Sequence, residues 1–216
     1  MKLNLIDCSN RDNHKDLDET DSCFYWCEYT VHKSYNFSEA NQLISNLKKN
    51  LSYKLENHYS YKIKAIRTCA TYFQGINWST CSIIPIPPSM KRTDPLYDDR
   101  LLKVLTLANE SLSAEYRFDI KDIIIQNESY EPSHLLSKRP TYSELKARYK
   151  LESIDNSQLR EKLIIFDDVL TVGSHFRAVK SLLKEAYPDK KIYGLFIARS
   201  ISAPISDDFD VLTDDD

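Results

Sequence analysis

At 216 residues the chain is long enough for one sizeable α/β domain with an appendage and short for two independent ones. Its 42% hydrophobic and 28% charged content is ordinary for a globular protein, and no apolar run approaches the roughly 18 residues of a membrane span, so a soluble chain with no membrane partner is expected. A formal net charge of -3 lacks the basic excess of sequence-independent nucleic-acid binders, so no nucleic-acid partner is implied.

Residues 1–22 are polar, with charge dense from Asn10 to Asp21 and no periodicity, which predicts a mobile or surface arm. Cys23 to Val31 is aromatic and β-branched and predicts a strand. The pair Cys23 and Cys27 has no second pair or His-x-x-x-His to complete a tetrahedral zinc site, so packed cysteines are the simpler reading. Five cysteines, an odd number with no signal peptide ahead of them, point to a reducing cytoplasm. Ser38 can cap a helix whose apolar side is Ala40, Leu43, Ile44, Leu47 and Leu51, with Lys48 and Lys49 on its solvated face.

Ile63, Ile66, Ala70 and Phe73 mark a second helix ending near Gly75. Cys81 to Ile86 predicts a buried strand, followed by the rigid turn Pro85 to Arg92, which cannot continue a ladder and ends in two cations. Leu101, Val104, Leu105, Ala108 and Leu112 form the core side of the next helix. Asp98 and Asp99 suit its dipole, and Arg100 is able to turn toward a ligand site instead. Ile120 to Ile125 predicts another short strand. Gln126 to Pro140 is a long aperiodic stretch of the kind that is functional or disordered; it carries His134, Lys138 and Arg139. Thr141 and Glu144 then form a capping box ahead of a helix presenting Tyr142, Leu145 and Tyr149.

Leu163 to Phe166 is a continuous apolar run, the pattern of a parallel strand buried on both faces. Asp167 and Asp168 follow, then a turn containing Gly173, then a helix with Phe176, Val179, Leu183 and Ala186 at helical spacing. A helix starting at Ser174 or His175 turns its N–H groups and positive dipole end into that turn, which suits a phosphate. The carboxylates can accept from sugar hydroxyls or hold a hydrated magnesium ion. A Walker B reading fails because the chain has only three glycines and no phosphate-binding glycine-rich loop. Ile192 to Ala198 is the last strand, and the remainder is a short acidic tail. Strands near 81, 120, 163 and 192 alternating with helices predict an α/β fold with a mostly parallel central sheet whose ligands bind at the strand C-terminal ends.

The stretch Leu-Ile-Ile-Phe-Asp-Asp-Val-Leu-Thr-Val-Gly-Ser-His, residues 163–175, resembles the phosphoribosyl diphosphate (PRPP) signature of type I phosphoribosyltransferases. It departs from that signature at Val172 and His175, where the family has threonines. The resemblance implies a three-layer sandwich with a mostly parallel sheet and a small hood. The organisation it suggests is a 1–22 arm, a 23–60 hood-like segment, a 61–200 core and a 201–216 tail.

It further implies an Mg²⁺-dependent enzyme that binds PRPP or a related ribose 5-phosphate ligand. Thr171, Val172, Gly173, Ser174 and His175 would hold the 5-phosphate. Asp167 and Asp168 would hold the ribose hydroxyls and contact the metal through water. Ser89, Lys91 and Arg92 would take pyrophosphate by position, and Lys138 and Arg139 would come from a loop closing over the site. Phosphoribosyl transfer to a nitrogenous acceptor releases pyrophosphate through an oxocarbenium-like state, so the protein stabilises separated charge and supplies no nucleophile. Val172 removes a hydroxyl whose hydrogen bond to phosphate is worth about 1.5–3 kcal/mol, while the backbone amides remain. His175 can donate through its ring and, if protonated, would favour phosphate. A non-catalytic PRPP or nucleotide sensor or partner subunit on the same fold is the competing class, and a hydrolase of a phosphorylated nucleoside is a third. The acceptor, and any homo-oligomer or partner protein, stay open.

Overall fold

The computed structural model describes residues 1–51, 59–129 and 140–203. Among them a six-stranded sheet forms the centre, built in chain order from β1 (Asn4–Leu5), β2 (Cys23–Thr30), β3 (Cys81–Pro85), β4 (Asp119–Ile120), β7 (Lys162–Leu170) and β8 (Lys191–Ile201), in the spatial order β1-β2-β8-β7-β3-β4. Only the β1–β2 pair is antiparallel; the other four neighbouring pairs are parallel. A separate antiparallel pair joins β5 (Ile124–Gln126) to β6 (Tyr149–Leu151). The fold is therefore mixed α/β with a mostly parallel central sheet. No helix of the described residues is long and apolar enough to cross a membrane.

Successive side chains of a strand point to opposite faces, and β7 uses both faces for core. Ile164 and Phe166 enter one cluster with helices α1 (Glu39–Leu47), α2 (Tyr59–Thr71) and α3 (Arg100–Ser111). Leu163 and Ile165 enter the other, with α4 (Tyr142–Arg148) and α5 (Ser174–Ala186). The continuous apolar run is the consequence of two covered faces. Helix starts follow their side chains: Ser38 Oγ accepts from Asn41 N at 3.0 Å, and Thr141 and Glu144 cap each other reciprocally. At Gly194 a Cβ would lie 2.7 Å from Cys23 Sγ, so only glycine lets β2 and β8 sit this closely.

Four expectations change. Cys23–Thr30, assigned to a hood, is an inner strand of the main sheet, because its alternate residues Cys23 and Tyr25 face one core and Trp26 the other. Residues 120–125 form two strands: pairing with β3 ends after Ile120, and Ile124–Gln126 pairs instead with β6. β8 runs on to Ile201, opposite Thr30, so the tail begins later than Arg199. The 1–22 segment is no mobile arm but packs on the molecule, burying Ile6, His14 and Leu17. Its few apolar residues are divided, Ile6 and Leu17 entering one core cluster and Leu3 packing against the other, which the absence of periodicity conceals.

Candidate functional site

A cavity of about 420 Å³ opens at the C-terminal ends of β3 and β7. β3 delivers the proline turn, of which Ile86 to Met90 line the wall. β7 delivers Asp167 and Asp168, and the turn into α5 delivers Thr171, Val172, Ser174 and His175. Lys48, Asp98 and Arg100 reach the same cavity from the end of α1 and the start of α3.

The acidic pair is inside β7, not beyond it, and its two members differ. Asp168 is buried with both oxygens occupied: Lys48 Nζ lies 2.9 Å from Oδ1, while Arg100 donates to Oδ2 from Nη2 at 2.6 Å and from Nε at 3.0 Å. Burial alone would raise the Asp168 pKa, but Lys48 and Arg100 outweigh it and hold this carboxyl well below the usual range. Asp167 accepts the Asp168 backbone N–H at 2.8 Å. Desolvation, reinforced by the neighbouring Asp168 charge, pushes its pKa up.

Behind the pair lies a second set of charges. Arg100 Nη1 donates to Asp98 Oδ2 at 2.7 Å, and the same oxygen accepts from Lys62 Nζ at 2.7 Å. Lys62 is 1% exposed and also donates to the carbonyls of Leu47 and Lys49, at 2.8 and 2.9 Å, on either side of Lys48. Burial pulls the Lys62 pKa down and Asp98 opposes this. Lys62 is the charged member of an otherwise apolar stripe with Ala65, Ile66, Cys69 and Ala70, and that misplaced charge is the signal by which it could have been found. Lys48, expected on a solvated face, instead turns inward because Asp168 offers a desolvated carboxylate.

No family model matches this chain, and no curated protein matches it.

The turn is held from outside by the N-terminal segment. His14 donates from Nδ1 to the Thr171 carbonyl, Asp16 N donates to Val172 O at 2.8 Å, and the Ser174 hydroxyl donates to the Asp16 carboxylate. Gly173 has φ 100°, and a Cβ there would meet the Leu17 side chain at 3.0 Å. Thr171, Val172 and Ser174 are each hydrogen-bonded to His14 or Asp16, and Leu17 stands where a side chain at Gly173 would lie. This contact was invisible in the sequence because nothing local joins segments over 150 residues apart. Ser174, read as a phosphate ligand, has its hydrogen already placed on Asp16. His175 bonds Tyr149 Oη through Nδ1 at 2.5 Å, and burial pushes its pKa down to about 4. It is therefore neutral at pH 7 and brings no cationic charge to an anion.

The proline turn divides. Ser89 lines the cavity, but Lys91 and Arg92 do not. Arg92 is tied to the Asp122 carboxylate at 2.9 Å, the Asp122 carbonyl at 2.6 Å and Glu152 at 3.3 Å, so it anchors the turn to the chain around β5 and β6. Lys138 and Arg139, with His134, lie outside the described residues. Among the described residues lining the cavity, the cations are Lys48 and Arg100.

Among the described residues no three His, Cys, Asp or Glu side chains converge on a point, so the chain offers no enclosed metal cage there. Both oxygens of Asp168 are already paired, one with Lys48 and one with Arg100, so this carboxylate is not free to serve as a direct metal ligand in this arrangement.

Proposed function

We propose that this protein binds PRPP or a related ribose 5-phosphate ligand on a type I phosphoribosyltransferase-like, three-layer α/β sandwich, and transfers the phosphoribosyl group to a nitrogenous acceptor with release of pyrophosphate. The observation that carries this reading is one cavity holding an acidic pair from the C-terminal part of a parallel strand, a turn into a helix N-terminus, and two cations. The first-turn N–H groups of α5 have no intrahelical partners and suit the 5-phosphate, aided by Thr171 and by the His175 ring as a neutral donor. Asp167 and Asp168 suit the ribose hydroxyls. Ser89 suits the pyrophosphate end. Mg²⁺, when bound, would neutralise the diphosphate and make it a better leaving group, with Asp167 and Asp168 touching its water shell.

In this reading the residues separate charge. Carboxylates beneath the ribose favour a cationic sugar, and Lys48 and Arg100, which pair with Asp168 in the structure, are the cations that would favour the departing diphosphate. Transfer is tested by following pyrophosphate release as PRPP, Mg²⁺ and a panel of bases are supplied. Release with one or more bases, lost in Asp167→Asn/Asp168→Asn, is expected. A double variant releasing pyrophosphate as fast as the parent would defeat the assignment.

A second reading, a PRPP or nucleotide sensor without catalysis, is favoured by one observation: both oxygens of Asp168 are already bound to cations. It is distinguished by PRPP binding with no pyrophosphate release from any base.

A further inference from the structure

Lys48 and Arg100 have a feature that a purely structural ion pair does not require. They pair with Asp168, one of three carboxylates that line the cavity with Asp98 and Asp167, and among the described residues they are the cavity's cations. A carboxylate whose two oxygens are held by two full positive charges is a poor acceptor for a sugar hydroxyl. Lys48, Arg100 and Lys62 are linked by ion pairs to Asp98 and Asp168, and Asp167 lines the cavity beside them.

The two cations are not equally held. Arg100 is 19% exposed and is fixed by Asp98 at 2.7 Å as well as by Asp168. Lys48 is 38% exposed, sits at the C-cap of α1, and reaches Asp168 through a single ion pair at 2.9 Å. Its backbone is nevertheless pinned, because the buried Lys62 ammonium holds the carbonyls before and after it. The backbone on either side of Lys48 is hydrogen-bonded, while its half-exposed side chain has a single ion-pair contact. Lys62 also holds Asp98, so one buried ammonium sets the position of both cations.

We infer that Lys48, pivoting beside Arg100, transfers from Asp168 to the diphosphate end of the ligand, and that this exchange unmasks Asp168 for the ribose hydroxyls. The two ends of the ligand therefore bind cooperatively, through a swap of ionic partners that moves no backbone. The inference rests on the proposal that the ligand is a phosphorylated ribose, and it deepens that proposal by naming the residue that couples the two halves of the site.

The test separates the halves. Ribose 5-phosphate is titrated calorimetrically into the full chain in Mg²⁺ buffer, with and without saturating inorganic pyrophosphate, and the order is then reversed. Pyrophosphate is expected to raise ribose 5-phosphate affinity about fivefold or more, and ribose 5-phosphate to raise pyrophosphate affinity by the same factor, as linkage requires. In Lys48→Gln, ribose 5-phosphate alone should bind more tightly than to the parent, pyrophosphate more weakly, and the coupling should fall towards one. A lysine that only supports the fold would weaken both ligands in parallel and leave the coupling factor intact, which would overturn the inference. So would binding of both probes with no coupling, or with mutual competition. Failure of either probe to bind at millimolar concentration, in a chain that still melts cooperatively, would remove the proposed function and this inference together.

Discussion

The two ends of the cavity are stabilised in opposite ways. At the acidic end, Asp168 is held by charges from α1 and α3, with a buried ammonium behind them. At the turn end, residues 171–174 are held by residues 14–17: His14 Nδ1 and Asp16 N donate to the Thr171 and Val172 carbonyls, the Asp16 carboxylate accepts the Ser174 hydroxyl, and Leu17 stands where a side chain at Gly173 would lie. The first arrangement is ionic, and the proposed ligand response rests on exchange of its partners. The second is steric and directional, and it fixes the turn before any ligand arrives. A phosphate site needs its amides preorganised, whereas a site that must respond to ligand charge needs movable ions.

The sharpest way to break this contrast is at Lys62. Lys62→Met leaves Asp98 with Arg100 alone, strands the carbonyls of Leu47 and Lys49, and is expected to cost about 3–5 kcal/mol, read by urea denaturation. A loss below 1 kcal/mol would mean that the ionic end does not depend on its buried ammonium.

Next in size is pH. The His175 pKa is depressed to about 4 by burial, below its ordinary unfolded value near 6.5. Between those values the unfolded chain takes up a proton that the folded chain refuses. Stability is therefore complete above about pH 6.5 and falls as pH drops towards 4, by roughly 2–3 kcal/mol allowing for the ring's partial exposure to the cavity. Burial depresses the His14 pKa in the same direction. Melting curves from pH 7 to 4.5 should show this slope, and His175→Gln should flatten it; an unchanged slope in the variant would assign the effect elsewhere.

Gly173→Ala places a side chain at φ 100° against Leu17 and should cost about 2 kcal/mol, with weaker phosphate binding than any loss of stability explains. The smallest effect is expected at Asp16. Its carboxylate takes the Ser174 hydroxyl at the N-terminus of α5, so it would compete with the proposed phosphate for that place. Asp16→Asn should cost about 0.5–1 kcal/mol of stability yet bind ribose 5-phosphate several-fold more tightly. Weaker binding would show Asp16 to be a support and not a competitor.

Features carried by local pattern were legible in the sequence. The apolar run before Asp167, the Ser38 cap, the Thr141–Glu144 box and the helix start at Ser174 depend on neighbours a few residues away, and each is present. What was not legible depends on long-range pairing. Arg100 meets Asp168 across 68 residues, and His14 meets Thr171 across 157. Lys48 looks like any exposed lysine until the fold brings a desolvated carboxylate to it. Arg92 looked like a ligand cation for the same reason in reverse, since its partners Asp122 and Glu152 lie far along the chain.

Binding of PRPP itself tests the central claim most directly. Calorimetry of the full chain with PRPP and Mg²⁺ should show one saturable site that is lost in Asp167→Asn/Asp168→Asn and weakened in Gly173→Ala. No heat of binding at millimolar PRPP, from protein that unfolds in one cooperative transition, would contradict it.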